Sequence, residues 1–427
     1  MKKGCMIGYD INEKGCQISY YDGSKEEPET MMASSNNYLI PLVLGYFKER
    51  WVFGKEAKRL AVVGEGCTET NLYEKAKRRE KVTLAGKTYD AVWLLAKYIS
   101  LTLVDFENIC HLTFTTPETD VDMAKMLKGI GKHIGVDKEI ISVQEYKESF
   151  CQYMIFQPKE LWQYESALFY CDEDRIKAYM LRRLRVNASH NMNSFVTVDE
   201  VANAQRKELE ALYPILNQEK EKSPDESFKS MIENVFEKKV ISSVYLTGEG
   251  FEKNWYPNSL RVLCNGRRAF MGNNLYSKGA CYTSIRKCEP NDDGPVYLDD
   301  TKLTERICLR MRVDGQEGWY PLVSWGTHWY EADGQWEVLL EDASDIEILV
   351  ESLVEDDVQV EKVSLEGLPK RTDYSLRLQV EAMFLDERTC KLIFCDVGFG
   401  EFFAPTDFRV EKTIRLGGIN GQFNSMS

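Results

Sequence analysis

Cys5-Met6-Ile7-Gly8-Tyr9-Asp10-Ile11, then Asn12-Glu13-Lys14-Gly15, then Cys16-Gln17-Ile18-Ser19-Tyr20-Tyr21 is the stretch on which the fold turns. Two apolar runs joined by four polar or glycine residues predict a β-hairpin. A second hairpin is predicted further on: Ser166-Ala167-Leu168-Phe169-Tyr170-Cys171 as a strand, Asp172-Glu173-Asp174-Arg175 as its turn, and Ile176-Lys177-Ala178-Tyr179-Met180-Leu181 as the return. Short strands are expected within residues 39–53, clearest at Trp51-Val52-Phe53-Gly54. Val92, Leu95, Ile99, Leu103 and Phe106 recur at helical spacing. A βαβ-like unit follows: a strand over 109–115, a helix opened by Thr116-Pro117-Glu118 and running to about 134, and a strand over 139–143. Helices are expected from Glu145 toward 156 and again after Pro158.

Beyond the second hairpin, residues 199–213 predict an amphipathic helix with Val201, Leu209 and Leu212 on one face, ended by Pro214. Ser223-Pro224-Asp225-Glu226 opens another helix that ends near residue 238. A buried strand over 240–247 closes on Gly248-Glu249-Gly250, and a last helix is expected around Ser277-Lys278-Gly279-Ala280. Past residue 289 the texture changes to strand-like runs separated by turns. The expected domains are therefore 1–290, a linker over 291–300, a β-sandwich over 301–415 and a frayed tail over 416–427.

The bulk numbers bound the function classes. Of 427 residues, 43% are hydrophobic and 29% charged, so the chain has material for a sizeable core. The formal net charge is -14. Nucleic-acid binders and proteins that dock on anionic membranes need basic surfaces, and neither partner is expected. Residues 333–361 carry many carboxylates and no Lys or Arg, which reads as a solvated acidic face or as a surface for basic peptides. The twelve cysteines form no CxxC pair and no zinc spacing with the four histidines. Cys5, Cys110, Cys171, Cys264, Cys308 and Cys395 fall in or beside apolar runs, as buried thiols do. With no leader pattern at Met1-Lys2-Lys3-Gly4-Cys5-Met6 and no apolar run of membrane length, a cytoplasmic location is expected.

Two hairpins, a βαβ insert, a strand ending in glycines and a late Lys-Gly-Ala helix, in that order, resemble the actin and seventy-kilodalton heat-shock-chaperone ATPase superfamily. Ile7-Gly8-Tyr9-Asp10 resembles the first phosphate hairpin and Phe169-Tyr170-Cys171-Asp172 the second. Phe114-Thr115-Thr116-Pro117 is similar to the segment before the first connecting helix. Glu145 sits where the family places a glutamate between the lobes. Val244-Tyr245-Leu246-Thr247-Gly248-Glu249-Gly250 resembles the adenosine motif, and Lys278-Gly279-Ala280 the helix after it. In the remainder, Val363-Ser364-Leu365-Glu366-Gly367-Leu368-Pro369, an alternating strand over 376–384 and Lys391-Leu392-Ile393-Phe394-Cys395-Asp396 resemble the peptide-gripping sandwich of those chaperones. Trp319-Tyr320-Pro321-Leu322-Val323 would be an earlier strand of it.

The resemblance implies an α/β actin-like, two-lobed (ribonuclease-H-like) ATPase domain followed by an all-β sandwich, in a bacterial family of chaperone-like proteins. It implies ATP or ADP with magnesium as cofactor, Asp10 and Asp172 at the metal, Asn12, Lys14, Gly248, Glu249 and Gly250 around the nucleotide, and Asp10, Asp172 and Glu145 as catalytic candidates. It also implies a protein or peptide partner for the sandwich.

The residues themselves oppose ATP hydrolysis. Phosphate loops aim bare backbone N–H groups at oxygens, which glycine permits. The second hairpin has Glu173, Asp174 and Arg175 there, and the first has Glu13. A like-charge contact at ~4 Å costs about 4 kcal/mol at an effective dielectric of about 20, against about 8 kcal/mol for micromolar affinity. Asp10 and Asp172 read either as a residual metal–nucleotide site or as turn aspartates stabilising their hairpins. Gly248 and Gly250 either admit an adenosine or end a buried strand. Glu145 is a functional acid or a helix-start acid favoured by the dipole. The function expected is a heat-shock-chaperone-like protein with a degenerate ATPase domain, in a protein- or peptide-binding or scaffold role with weak or no ATP hydrolysis. The alternatives are an active ATP-dependent chaperone-type ATPase, which would make the chain an ATP hydrolase, and an actin-like polymerising protein.

Overall fold

The computed structural model describes residues 4–34, 37–172, 175–185, 194–205, 224–289, 294–340, 344–354, 358–369, 371 and 376–417. The chain divides into two compact units. Met1–Arg182 with Val198–Gly294 form the first, and Arg183–Thr197 with Pro295–Ser427 the second. Among the described residues no helix is long and apolar enough to cross a membrane.

The first unit opens with β1 (Cys5–Ile11), β2 (Gly15–Tyr21), β3 (Glu29–Thr30), β4 (Ile40–Pro41), β5 (Leu44–Phe47), β6 (Arg50–Phe53), α1 (Gly54–Val63), β7 (Cys67–Glu69), α2 (Leu72–Lys77), β8 (Lys81–Leu84), β9 (Lys87–Asp90) and α3 (Ala91–Thr102). It continues with β10 (Ile109–Thr116), α4 (Val121–Ile134), β11 (Ile141–Glu145) and α5 (Tyr146–Ile155). Every residue of β1 is buried, as in a central strand covered on both faces. It pairs antiparallel with β2 and parallel with β10, which pairs parallel with β11. The sheet order is β11-β10-β1-β2-β3. Helix α4 starts at Val121 rather than at Pro117, because the Asp120 carboxylate caps the Met123 N–H at 2.7 Å and β10 runs on through Thr116.

The second half of this unit repeats the plan. It holds β12 (Glu165–Cys171), β13 (Arg175–Arg185) as far as Arg182, β14 (Ser194–Gln205) from Val198 on, α6 (Pro224–Phe236), β15 (Ile241–Thr247), α7 (Pro257–Leu263), β16 (Arg268–Met271) and α8 (Leu275–Cys288). Strand β12 is antiparallel to β13 and parallel to β15, which is parallel to β16, giving the order β16-β15-β12-β13-β14. The order of these five strands, and the directions of the pairs β12–β13, β12–β15 and β15–β16, thus match those of the first sheet.

The helix that ends each half packs on the other half. Phe150 and Tyr153 of α5 meet the Tyr245 ring of β15 edge-on, at 6.0 and 5.8 Å between ring centroids. Ser284 of α8 donates to the Ile7 carbonyl of β1 at 2.7 Å. Where α8 crosses β1 and α5, a Cβ on Gly8 would overlap the Ser277 carbonyl, and one on Gly279 the Ser149 carbonyl.

Residues 199–213 do not begin as the expected helix. The described part, through Gln205, belongs to β14, and residues 206–213 lie outside the described set. The aromatic and β-branched run Phe195-Val196-Thr197-Val198 is almost fully buried, so sheet pairing overrides the helical spacing. Asp225, in the first turn of α6, accepts the Asn258 and Ser259 N–H groups at the start of α7, at 2.7 and 2.8 Å. Only a 3₁₀ turn, Lys159–Leu161, follows Pro158.

The second unit is all strands and short turns. It holds β17 (Val296–Tyr297), β18 (Glu305–Val313), β19 (Gln316–Val323), β20 (Gly334–Leu340), β21 (Asp345–Ser352), β22 (Val358–Ser364), β23 (Leu376–Asp386), β24 (Thr389–Asp396) and β25 (Arg409–Arg415). Two four-stranded sheets form, in the orders β19-β18-β21-β22 and β20-β23-β24-β25, with every described pairing antiparallel. Ile307, Leu309, Ile348 and Val350 of one sheet share a core with Leu378, Val380, Leu392, Phe394 and Ile414 of the other. Along β23, Leu376, Leu378, Val380, Ala382 and Phe384 alternate inward, as their spacing predicts.

Several expectations are corrected here. Residues 291–300, expected as a linker, include β17, which pairs with Phe195 and Val196; residues 290–293 and the tail from 418 lie outside the described set. The acidic stretch at 333–361 is not a bare acidic face. Glu347 pairs with Arg310 and Lys362, Glu351 with Arg306, Glu337 with Arg377 and Glu361 with Lys412. All twelve cysteines are free, and Cys5, Cys171 and Cys308 are buried, but Cys110 and Cys264 are exposed and Cys395 is half-buried.

Candidate functional site

Within the first unit a cleft of about 470 Å³ lies where the first hairpin, β12 and β15 end. Asp10, Asn12, Lys14, Asp172, Gly248 and Glu249 all line it. Six of the sequence-derived residues therefore come together. Glu145 and Gly250 are not in the wall.

Asp10 is the buried acid of the site. It is 3% exposed at the end of β1. Burial disfavours its charged form and pushes its pKa up to about 7, although the hydrogen bond from Tyr146 works against that rise. The Tyr146 hydroxyl donates to Asp10 Oδ1 at 2.7 Å, and Asn12 Nδ2 donates to the same hydroxyl at 2.9 Å. The Tyr146 ring stacks on Tyr276 at 3.8 Å between centroids, 7° from parallel. Tyr170 tilts against both rings, at 6.5 and 6.3 Å.

Asp172 plays a different part from Asp10. The first hairpin closes on the pair Ile11↔Cys16 and the second on Cys171↔Ile176. Counting outward from those closures matches Asp172 with Asn12 and Asp10 with Tyr170. The geometry agrees. Asn12 Oδ1 accepts the Lys14 and Gly15 N–H groups at 2.9 and 3.2 Å, and Asp172 Oδ1 accepts the Arg175 N–H at 2.8 Å. Both side chains close turns. Expecting Asp10 and Asp172 as matched metal acids is therefore corrected: a tyrosine stands at the second position. Glu173 and Asp174 lie outside the described residues.

The remaining candidates have local roles. Lys14 Nζ pairs with Glu249 Oε2 at 3.3 Å, linking the first hairpin to the loop after β15. Gly248 has φ +102°, and a Cβ there would overlap the Cys171 carbonyl; one on Gly250 would overlap the Cys171 Sγ. Both glycines let this loop close on the end of β12. Gly248 N–H also donates to Asn273 Oδ1 at 3.0 Å. Glu145 is the N-cap residue of α5, and its Oε1 accepts the Thr119 N–H at 3.0 Å. Among the described residues no three His, Cys, Asp or Glu side chains are grouped to hold a metal ion. The Cys171 thiol beside the cleft is pushed up to about 12 by burial, so it is no nucleophile at neutral pH.

The wall also contains Gln17, Asn37, Tyr38, Leu39, Thr247, Glu252 and Asn273, which sequence reasoning did not single out, with Tyr146 and Tyr276. Tyrosine is common here, with 22 in the chain. No spacing marks the three that meet.

Comparison with known families finds two matches along the chain. Residues 27–300 match the C-terminal part of a Family of unknown function (DUF5716), over more than half of the chain. The chain belongs to the DUF5716 family. In this DUF5716 member, residues 302–416 match a second description, a Domain of unknown function (DUF8552), which spans β18 to β25. No curated protein matches the chain.

Proposed function

We propose that the first unit is an actin-like, two-lobed domain related to the ATPase domain of seventy-kilodalton heat-shock chaperones, and that its cleft has lost ordinary ATP hydrolysis. The chain then acts as a protein- or peptide-binding or scaffold protein through its all-β unit. The repeated strand order, the helices exchanged between halves and a cleft at the strand ends support the relationship. One observation carries the loss: Tyr170 occupies the register of Asp10 in the second hairpin. A triphosphate with magnesium does not fit this lining. Among the described residues it offers four carboxylates, Asp10, Asp172, Glu249 and Glu252, and one cation, Lys14, already paired with Glu249.

The all-β unit supports a binding role by its edges. Trp319 and Tyr320 on β19, and Val358 and Val360 on β22, leave apolar surface exposed on the two outer strands of one sheet. Twelve free cysteines fit a reducing compartment, and a cytoplasmic site of action is part of the proposal.

Titration calorimetry with Mg-ATP tests the first claim. No binding is expected up to ~100 μM, a concentration at which a micromolar site would be saturated. Micromolar binding with turnover would overturn it. Peptide-array binding to the full chain tests the second, with Trp319→Ala and Tyr320→Ala expected to reduce capture.

A further inference from the structure

The unsatisfied polar atoms of the cleft wall are all oxygens. Gln17 Oε1 and the Tyr276 hydroxyl are buried with no hydrogen-bond partner among the described residues. Tyr276 is 4% exposed. Asp10 has one carboxylate oxygen taken by Tyr146, and no described donor meets the other. A buried polar atom left without a partner carries a desolvation cost that a matching ligand group offsets. Two of these groups, the carboxylate and the amide oxygen, accept hydrogen bonds. The tyrosine hydroxyl both accepts and donates.

Charge points the same way. Asp10, Asp172, Glu249 and Glu252 outnumber Lys14 in the lining, and Lys14 Nζ lies 3.3 Å from Glu249. Tyr38, Tyr146, Tyr170 and Tyr276 also line the cleft, and aromatic rings close to a cation attract it. The volume of about 470 Å³ is that of a small-molecule site.

We propose that this cleft binds a small organic cation bearing N–H donors, a primary ammonium or a guanidinium, with its charged head against Asp10, Gln17 and Tyr276. This rests on the reading that the cleft no longer takes a triphosphate. A triphosphate brings acceptors and negative charge to a wall of acceptors and negative charge. An ammonium brings three donors, or a guanidinium five, with a positive charge.

The probe is agmatine, which carries both groups, titrated calorimetrically into the full chain. One-to-one binding is expected at or below about 1 mM, with a rise in Tm. Asp10→Asn is expected to weaken it at least tenfold, and Tyr276→Phe and Glu252→Gln severalfold. Glu252 is exposed, so its variant keeps the fold even if the Asp10 variant does not. Tetramethylammonium, a cation without N–H groups, is expected not to bind. Absence of agmatine binding up to about 10 mM overturns the proposal. So does binding that is undiminished in the Tyr276 and Glu252 variants, equal binding of tetramethylammonium, or binding of magnesium chloride in place of agmatine. Those failures leave the loss of ATP use standing; micromolar binding of Mg-ATP overturns both together.

Discussion

The two halves of the first unit share one strand order and differ at the tips of their first hairpins. In the first half, a buried carboxylate, Asp10, sits one residue before the hairpin's last pair, held by Tyr146. In the second half, that register holds Tyr170, whose hydroxyl is kept neutral by burial, and the nearest acid, Asp172, closes the turn. Backbone topology survives such an exchange because it is fixed by buried β-branched and aromatic residues and by helix crossings. The chemistry at the tip hangs on single side chains.

The comparison breaks most completely where the halves are tied together. Gly279→Val places a branched side chain into the Ser149 carbonyl at the α5–α8 crossing. Overpacking plus displaced backbone is expected to cost at least about 3 kcal/mol, seen as a lower urea midpoint. A midpoint within error of wild type would show that the two helices do not pin the halves together.

The next effect separates the two acids. Asp10 ionises near pH 7 when folded and near 3.9 when unfolded. The folded state therefore holds a proton that the unfolded state has released between those values. Stability from this group is complete below about pH 4 and is lost as pH rises through about 7, by up to about 4 kcal/mol. Asp10→Asn, which keeps an acceptor for Tyr146 and carries no charge, is expected to be more stable than wild type at pH 8 and no more stable at pH 4. His111, pushed down to about 4 by burial, slopes the opposite way as pH falls below about 6.5. The difference between variant and wild type isolates Asp10. A pH-independent difference would show that Asp10 is ionised in both states.

Asp172→Ala and Asn12→Ala should resemble each other instead. Each removes one turn-closing acceptor and is expected to cost about 1 kcal/mol, read as a shift of the urea midpoint. A loss in Asp172→Ala several times that in Asn12→Ala would show that Asp172 does more than close its turn, and would restore its pairing with Asp10.

Much of this was legible beforehand. Both hairpins, the βαβ insert, the strand ending at Thr247 and the alternation along β23 follow from apolar period and turn residues. The mismatch at Asp172 was also within reach, because both turns have four residues and counting back from each closure gives Tyr170. Matching acids by identity rather than by register hid it. The β14 strand was hidden for a different reason: Val201, Leu209 and Leu212 fit a helix locally, while the place of β14 beside β13 in the sheet and the burial of residues 195–198 at its start decide the matter. The Tyr146–Tyr276 stack joins residues 130 positions apart on two crossing helices, and nothing local announces it.

The smallest expected effect concerns the link across the cleft mouth. Lys14 and Glu249 are each about a third to a half exposed, and their 3.3 Å contact joins the first half to the second. A pair this wet contributes about 0.2–1 kcal/mol and is screened by salt. Lys14→Met is therefore expected to lower stability by less than about 1 kcal/mol at low salt and by nothing measurable at about 1 M salt. It leaves Glu249 without that ammonium beside Asp10, Asp172 and Glu252, so the mouth becomes more acidic. If the cleft takes cations, Lys14→Met should bind agmatine more tightly than wild type, while Glu249→Gln should bind it more weakly. Weaker agmatine binding by Lys14→Met would show that the acidity of the mouth is not what draws the cation, and would count against the charge argument for the cleft.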